Sequence, residues 1–318
     1  MIGMIGFRRF SLLILTGVGF ALSWGAERYA GEFLLDVESP RARAMGGVGA
    51  WLPDGGFDVA RNAAYLADVK EVGVSLLHTD QFTGIVHNDF VGVESPGKGS
   101  GIGFAMYRTG VDQIPYTQLL DPSQAISGTN RVMVNRYVTD QEWAFWVGMG
   151  RKFGDKFTVG AAVKPIVKIL GGGTGIGFGL DGGLKCQLME HASVAAAVSD
   201  IVTSPIRWNT SRTELIKPRL QTGATYDFEV PRLHASILAA GGVEVRSDEG
   251  GSNLISGHGG IEYTIEHIIA LRAGYDADRP VFGAGIRTKS IDFDYAYRDQ
   301  PLGVSHLIGI NYRMALNN

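Results

Sequence analysis

Two glycine-rich stretches in this 318-residue chain have the spacing of nucleotide-binding motifs. The stretch 177–182 matches a dinucleotide fingerprint, but it lies inside an alternating, strand-like tract with no helix after it. The stretch 92–99 approaches a phosphate-binding loop, in which Gly99 stands where a hydroxyl residue would bind magnesium. We therefore interpret the first stretch as part of a strand and the second as a turn between strands.

Other residue types that could support catalysis or metal binding do not form a recognisable pattern. The seven histidines are scattered with no pair at metal-ligand spacing, and the single cysteine, Cys186, cannot build a zinc site. No Gly-x-Ser-x-Gly nucleophile motif occurs. A net charge of −3 without a long basic run gives no footprint for nucleic acid. We predict a non-enzymatic protein with no metal, no cofactor and no nucleic-acid partner.

The first 25 residues are typical of a secretory signal peptide. Arg8 and Arg9 precede an apolar stretch from Phe10 to Leu22, and small residues allow cleavage after either Ser23 or Gly25. An uncleaved anchor is the alternative. No later stretch has the 18 or so uninterrupted apolar residues of a membrane helix, so the exported chain is expected to form either a soluble fold or a β-barrel.

From residue 71 onward the sequence alternates with period two, as strands do. Ile291 to Arg298 is the clearest tract, with its apolar side chains on one face and mostly polar ones on the other. Such tracts predict about fourteen strands. The connections alternate between tight turns and longer loops, as in outer-membrane barrels, whereas a soluble β-sandwich, the alternative, has no reason to segregate its loops in this way. The low charged fraction, 19%, also favours an all-β, antiparallel transmembrane barrel.

The segment 26–70 is too polar and glycine-rich to be barrel wall, and it carries a family resemblance. Its motifs are Glu32–Leu35, Ala42–Ala50 and Asn62–Ala67, and Gly110–Pro115 adds a fourth. Together they resemble the PorV/PorQ group of outer-membrane proteins, relatives of the FadL-like fatty-acid transporters. That resemblance implies a fourteen-stranded barrel with an N-terminal plug in its lumen.

The resemblance divides the chain into a signal peptide (1–25), a plug segment (26–70) and a barrel (71–318), and it places the plug motif on Met45, Gly46, Gly47 and Asn62. The glycines would permit close backbone approach inside a crowded lumen. Asn62 is followed by Ala63 where the family has proline, which leaves the turn at this point without its rigid residue. A glycine-rich export linker is the alternative interpretation of the segment.

A long outer loop is expected at 109–140, and it contains the candidate binding residues. These are Ile114, Tyr116, Leu119, Leu120, Val132, Met133 and Val134. They could form an apolar docking patch, wall an apolar pocket above the plug, or fold on themselves as a lid.

The resemblance implies a protein of the outer membrane of a Gram-negative-type bacterium, in contact with its lipid. Its first implied role is protein secretion of type IX kind, with secreted cargo proteins or other secretion components as partners. The alternative is transport of hydrophobic small molecules, with a fatty-acid-like ligand. A structural barrel without dedicated cargo is the third possibility.

Overall fold

The computed structural model describes residues 30–247 and 253–314. The signal peptide predicted at 1–25 lies outside the described residues. Among those described, no helix is long and apolar enough to cross a membrane.

Short helices come first in the chain, and all of them lie within the plug segment. The two α-helices are α1 (Pro40–Ala44) and α2 (Asp58–Arg61), and 3₁₀ helices occupy Glu32–Asp36, Gly55–Phe57 and Ala63–Asp68. Ser39 begins α1, because its hydroxyl accepts a hydrogen bond from the Ala42 N–H and proline follows it at the first helical position. A further 3₁₀ helix, Pro231–Leu233, connects two strands.

Long antiparallel strands make up the rest of the described chain. They are β1 (Val72–Gln81), β2 (Val86–Gly97), β3 (Ser100–Leu119), β4 (Val132–Phe153), β5 (Phe157–Leu170), β6 (Gly173–Met189), β7 (Ala192–Ser199), β8 (Ser204–Trp208), β9 (Thr213–Ile216), β10 (Arg219–Val230), β11 (Ala235–Ser247), β12 (Asn253–Ile265), β13 (Ile269–Asp276), β14 (Arg279–Arg287), β15 (Ile291–Gln300) and β16 (Gly303–Met314).

Fourteen of these strands close into a barrel, which confirms the predicted fold class. Neighbouring strands pair in chain order, β7 pairs with β10, and β1 closes the ring against β16 from Val72–Met314 to Asp80–His306. The remaining two, β8 and β9, form a hairpin whose first strand pairs with β6 at Gly175–Gly177. Strand burial alternates with period two, as in β5, because successive side chains face the lumen and the outside in turn.

The two ends of the barrel differ in their connections. Six short connections, at the ends of β2, β4, β6, β10, β12 and β14, lie at what we call the turn end, together with the start of β1 and the last residues of β16. The opposite loop end carries the longest connections, which include the β8–β9 hairpin and the link between β3 and β4, together with two-residue turns after β5, β13 and β15. The stretch 92–99 is the end of β2 and the turn that follows it, with Gly99 at φ +65°. The stretch 177–182 lies within β6. The first motif is therefore a turn and the second a strand, as interpreted.

The expected loop at 109–140 is wrong in extent, because most of it is strand. β3 runs to Leu119 and β4 begins at Val132. The pairing of these strands shifts register between Val111 and Ile114 and again at Tyr116 and Thr117, with Gln113 at φ +55°. Each irregularity reverses which side chains share a face, so the period-two signal disappears from the sequence although the strands continue.

The plug segment fills the lumen. Its largest buried side chains include Trp51, Tyr65 and Phe57, all 2% exposed or less. Phe57 stacks on Phe90 of β2 with ring centroids 3.9 Å apart, and the 3₁₀ helix Ala63–Asp68 packs on β3, β4, β5 and β6. The hydrophobic core therefore lies between plug and wall, inside the ring.

Candidate functional site

The sharpest contact between plug and wall is at the predicted motif Met45–Gly47. Met45 is fully buried, and a Cβ on Gly260 or Gly274 of the wall would collide with its backbone. Gly46 has φ +92°, and a Cβ there would lie 2.5 Å from the carbonyl oxygens of Gly259 and Tyr275. Glycine on both sides allows the two backbones to touch, which no other residue permits.

Asn62 fixes the turn that follows α2 without help from a proline. Its Oδ1 accepts a hydrogen bond from the Ala64 N–H, and its Nδ2 donates to the Ala50 carbonyl at 2.8 Å and the Ala196 carbonyl at 3.3 Å. The same side chain thus joins two parts of the plug to β7. Gly183 of β6 leaves the space that it needs.

One side of the lumen holds the plug by buried ion pairs. Arg41 of α1 makes a two-pronged contact with Glu262 of β12, with both N–O distances 2.9 Å. Glu262 also accepts from Arg272 at 2.6 Å and from Arg287 at 2.7 Å. Arg272 also pairs with Asp294 at 2.7 Å, so that three guanidinium groups and two carboxylates form one buried network.

A second set of ion pairs extends this network toward the loop end. Arg43 pairs with Asp276 at 2.9 Å, and Arg298 reaches the same carboxylate at 3.4 Å. Asp36 of the plug lies 3.4 Å from Arg43. We call the inner faces of β12–β15 the charged wall, because their buried charged side chains pair with Arg41 and Arg43 of α1 in addition to the backbone packing described above.

A cavity of about 580 Å³ lies above the plug at the loop end. Its polar lining includes Arg61, Arg219 and Glu244, and the apolar side chains of Phe33 and Leu35 complete it. No residue of 110–137 contributes to its described lining. This cavity is where a molecule entering from the loop end first meets the plug.

A smaller cavity of about 210 Å³ lies at the turn end, lined by Arg41, Asp54, Glu94 and Arg313 among others. Because Arg41 lines this cavity and Arg43 lines the larger one, α1 separates the two. Burial raises the pKa of Asp54 to about 6, although Arg41 and the Ser39 hydroxyl, which donates a hydrogen bond to Asp54, both act to lower it.

The opposite side of the lumen carries most of the apolar packing, beside buried ion pairs of its own in which Lys164 of β5 contacts Asp181 at 3.0 Å and Asp200 at 2.8 Å. Phe33, Leu34 and Val37 of the plug pack in one cluster with inward side chains of β1–β5. Its residues on β1–β5 are Leu77, Phe90, Ala105, Tyr107, Ala144, Trp146, Ala162 and Ile166, and it extends to Ala296 of β15 and Leu307 of β16. Ile206 and Ile216 of the β8–β9 hairpin complete it from the loop end. We call these inner faces of β1–β5 the apolar wall.

The apolar wall contains a break in its backbone pairing. β4 and β5 pair as far as Ala144–Ile166, and the ladder resumes only at Val147–Val163. Pro165 lies in the gap and has no N–H to donate to a neighbouring strand. Trp146 is 2% exposed on the inner side of the gap, and its Nε1 donates to Asp181 at 2.9 Å. The two strands keep one register across the break, so backbone pairing is lost there at only two residue pairs.

Outside the wall, next to the break, lies an apolar groove of about 720 Å³. It is lined by Phe104, Val147, Met149, Val163 and Ile201, with small residues between them. The outer border of the break is therefore apolar, whereas its inner border combines Trp146 with the buried Lys164, which pairs with Asp181 and Asp200.

The seven candidate residues of the predicted loop form a β-ribbon instead of a lid. β3 loses its β2 partner after Gly110 and β4 gains β5 only at Gln141, so the parts beyond pair only with each other. From Val111 to Leu119 this ribbon measures about 30 Å. Ile114 and Leu119 are half-buried, whereas Tyr116, Leu120, Val132, Met133 and Val134 are exposed.

The tip of the ribbon is ordered by a single side chain. Asn130 is 4% exposed, and its Nδ2 donates to the carbonyls of Asp121, Gln124 and Ala125. The ribbon thus brings the apolar candidates together on a projecting arm and keeps them away from the cavity above the plug.

Comparison with solved structures identifies the fold. The chain resembles the toluene transporter TodX of P. putida with a TM-score of 0.58, at 12% identity over 89% of this chain and 100% of TodX. The toluene transporter TbuX of Ralstonia pickettii gives 0.53, at 15% identity over 88% and 99% of the two chains. A FadL homologue of Pseudomonas aeruginosa gives 0.54, at 9% identity over 86% and 98%.

No protein-family model and no curated protein matches the sequence. The structural neighbours are therefore FadL-type outer-membrane channels, and at these identities the likeness is one of fold.

Proposed function

We propose that this protein is an outer-membrane channel that passes small hydrophobic molecules. This proposal rests mainly on one observation: the apolar cluster in the lumen reaches the ladder break at Pro165. Ala144, Trp146 and Ile166, which flank the break, belong to that cluster. A molecule that leaves through the wall would enter the groove outside, whose surface is apolar. The solved neighbours, transporters of toluene, support this role over secretion.

Such a route suits a hydrophobic molecule and not a polar one. A molecule from the loop end would meet Phe33 and Leu35, then the apolar wall, then the lipid-facing groove, so apolar surface is available at each stage. On the charged wall, a molecule would meet the guanidinium groups of Arg41, Arg272 and Arg287 around Glu262, with less apolar surface than the apolar wall offers. The geometry thus favours hydrophobic small molecules as the transported class.

The test replaces the residue that breaks the ladder. Pro165→Ala restores a backbone N–H, so that pairing between β4 and β5 can continue and narrow the gap. Cells carrying the wild-type protein in their outer membrane should take up labelled toluene faster than cells without it, and Pro165→Ala should slow this uptake. Pro280→Ala, the same change in β14 across the barrel, is the matched control and should match the wild type.

The possible outcomes distinguish the channel activity itself from the route through the wall. Uptake that is no faster with the wild-type protein than without it would reject the channel. Equal uptake by the wild type and Pro165→Ala would keep the channel and reject the route through the wall.

A role in secretion is the second candidate, and the projecting ribbon is the observation that favours it. Tyr116, Met133 and Tyr137 are each at least half exposed on an arm whose outer strand edges are unpaired. Such an arm could hold an exported polypeptide by strand addition. Crosslinking from position 133 in the native outer membrane should then capture a secreted protein, and capture of lipid alone would argue against this role.

A further inference from the structure

The β1–β2 hairpin places two histidines and two aspartates together on the outer face of the barrel. His78 and Asp80 lie two residues apart in β1, and His87 and Asp89 lie two apart in β2, so all four side chains point outward. In the register of the pair, His78 stands opposite Asp89 and Asp80 stands opposite His87. The four side chains thus occupy the corners of a rectangle with the two histidines on one diagonal.

The turn of this hairpin fixes that register. Phe82, Thr83 and Gly84 have φ values of 52°, 62° and 84°, and the N–H groups of Gly84 and Ile85 both donate to the Gln81 carbonyl at 3.1 Å. A slip by one residue would move the histidines and aspartates to the lumen, where Thr79, Gln81 and Asn88 are now buried. The cluster is therefore imposed by the backbone.

Three ligand atoms converge at Asp80. Its Oδ1 lies 2.7 Å from His87 Nδ1 and 3.5 Å from His78 Nε2. All three atoms lie within 4.8 Å of one another. Ligand atoms around tetrahedral zinc are about 3.3 Å apart, so side-chain adjustments of about an ångström bring these three to bonding distance.

The fourth residue orients a ligand and does not serve as one. Asp89 Oδ1 lies 2.8 Å from His78 Nδ1, while its Oδ2 lies 3.3 Å from Arg108. A proton on Nδ1 leaves the Nε2 lone pair directed at Asp80. Metal-binding histidines are commonly held in this way, by a carboxylate on the second ring nitrogen. The imidazole planes of His78 and His87 are 16° apart with centroids 6.2 Å apart, so both rings stand on the same side of the site.

We infer that this hairpin binds a divalent transition-metal ion of the zinc type. The ligands are His78 Nε2, His87 Nδ1 and the Asp80 carboxylate, and water completes the tetrahedron on the exposed side. With neutral imidazoles the cluster carries two carboxylates against the one guanidinium of Arg108, which favours a cation. Two imidazole ligands select zinc over magnesium, which prefers oxygen ligands.

The test uses the full-length protein in detergent after removal of metal with a chelator. Titration calorimetry with zinc chloride should give one zinc ion per chain, and cobalt should give the visible absorption of a tetrahedral site. His87→Gln should abolish both signals. Asp89→Asn should keep the stoichiometry and weaken affinity by about 10–100-fold, because it removes only the orienting carboxylate.

A matched control exists at the turn end of the barrel. His191 lies 3.0 Å from Asp227 on an exposed surface, a histidine–aspartate pair without a second histidine. His191→Gln should bind zinc as the wild type does. The inference is overturned if the wild type binds no zinc, or if His87→Gln, with an unchanged melting temperature in chelator, binds zinc as tightly as the wild type.

Discussion

The two sides of the lumen hold the same plug segment by different mixtures of contacts, since Lys152 of β4 also pairs with Asp68 of the plug at 2.8 Å but apolar packing dominates on that side. The charged wall binds α1 through Arg41–Glu262 and Arg43–Asp276, whereas the apolar wall packs on Phe33 and Leu34. A buried ion pair is specific in direction but costly to break, since a separated charge remains without its partner. Apolar packing does not require a particular orientation of the contacting groups, and it tolerates rearrangement of the side chains. Under the proposed function, the charged wall would anchor the plug and the apolar wall would provide the passage.

The largest effect should come from removing the centre of the charged wall. Glu262→Ala leaves Arg41, Arg272 and Arg287 without their shared carboxylate, and we expect a loss of about 3–5 kcal/mol in the free energy of unfolding. Denaturant titration of the protein in detergent measures it. Asp299→Ala, at an exposed carboxylate of β15, is the control. A loss no greater than that of the control would mean that the ion pairs do not anchor the plug.

A truncation on the apolar wall should cost less. Leu34→Ala removes a side chain that is 6% exposed, and we expect a loss of about 2–3 kcal/mol in the same titration. If the apolar wall is the passage, toluene uptake should rise, since the truncation leaves apolar space. Leu302→Ala, at a side chain that is 75% exposed, should change neither quantity. Slower uptake by Leu34→Ala would remove the distinction between the two walls.

A smaller effect should appear with pH at Asp54, beside the charged wall. Its pKa of about 6 lies above the ordinary value, so between about pH 4 and 6 the folded protein binds a proton that the unfolded chain has released. This group therefore stabilises the fold less as pH rises through that window. The melting temperature of Asp54→Asn relative to the wild type should rise from pH 4 to pH 7, and a constant difference would contradict this.

The smallest effect is expected where neither wall is involved. Met133→Ser and Tyr137→Ser change exposed side chains on the ribbon, and each should alter the free energy of unfolding by no more than about 0.5 kcal/mol. Denaturant titration again gives the answer. A larger loss from either variant would place the ribbon against another surface and weaken its description as a free arm.

The barrel could be predicted from the sequence because its main determinant is local. Alternation of side chains needs no knowledge of partners, and it predicted the fourteen barrel strands that the structure confirms, while the connection lengths favoured a barrel over a sandwich. The sequence did not predict the ribbon, because the alternation of its side chains is interrupted. Two register shifts near Gln113 and Tyr116 interrupt the alternation without ending the strands.

The contacts of the site could not be predicted from the sequence, because they join residues that are far apart in the chain or that only strand register brings together. Arg41 and Glu262 are 221 residues apart, and only closure of the ring brings them into contact. His78 and His87 are close in sequence, yet their spacing matches no metal motif, because it is the hairpin register that brings the rings together. Asn62 could be picked out by resemblance, although its hydrogen bonds to Ala50 and Ala196 could not be foreseen.

The pairing of β1 with β16 also governs the order of folding. Val72 and Met314 are partners, so the last ladder of the ring joins the two ends of the barrel sequence. Closing so long a loop is entropically slow, and until it closes both strands expose unpaired edges to other chains. A nascent barrel is thus most prone to aggregate just before completion, and any factor that shields β1 during that interval would control its yield.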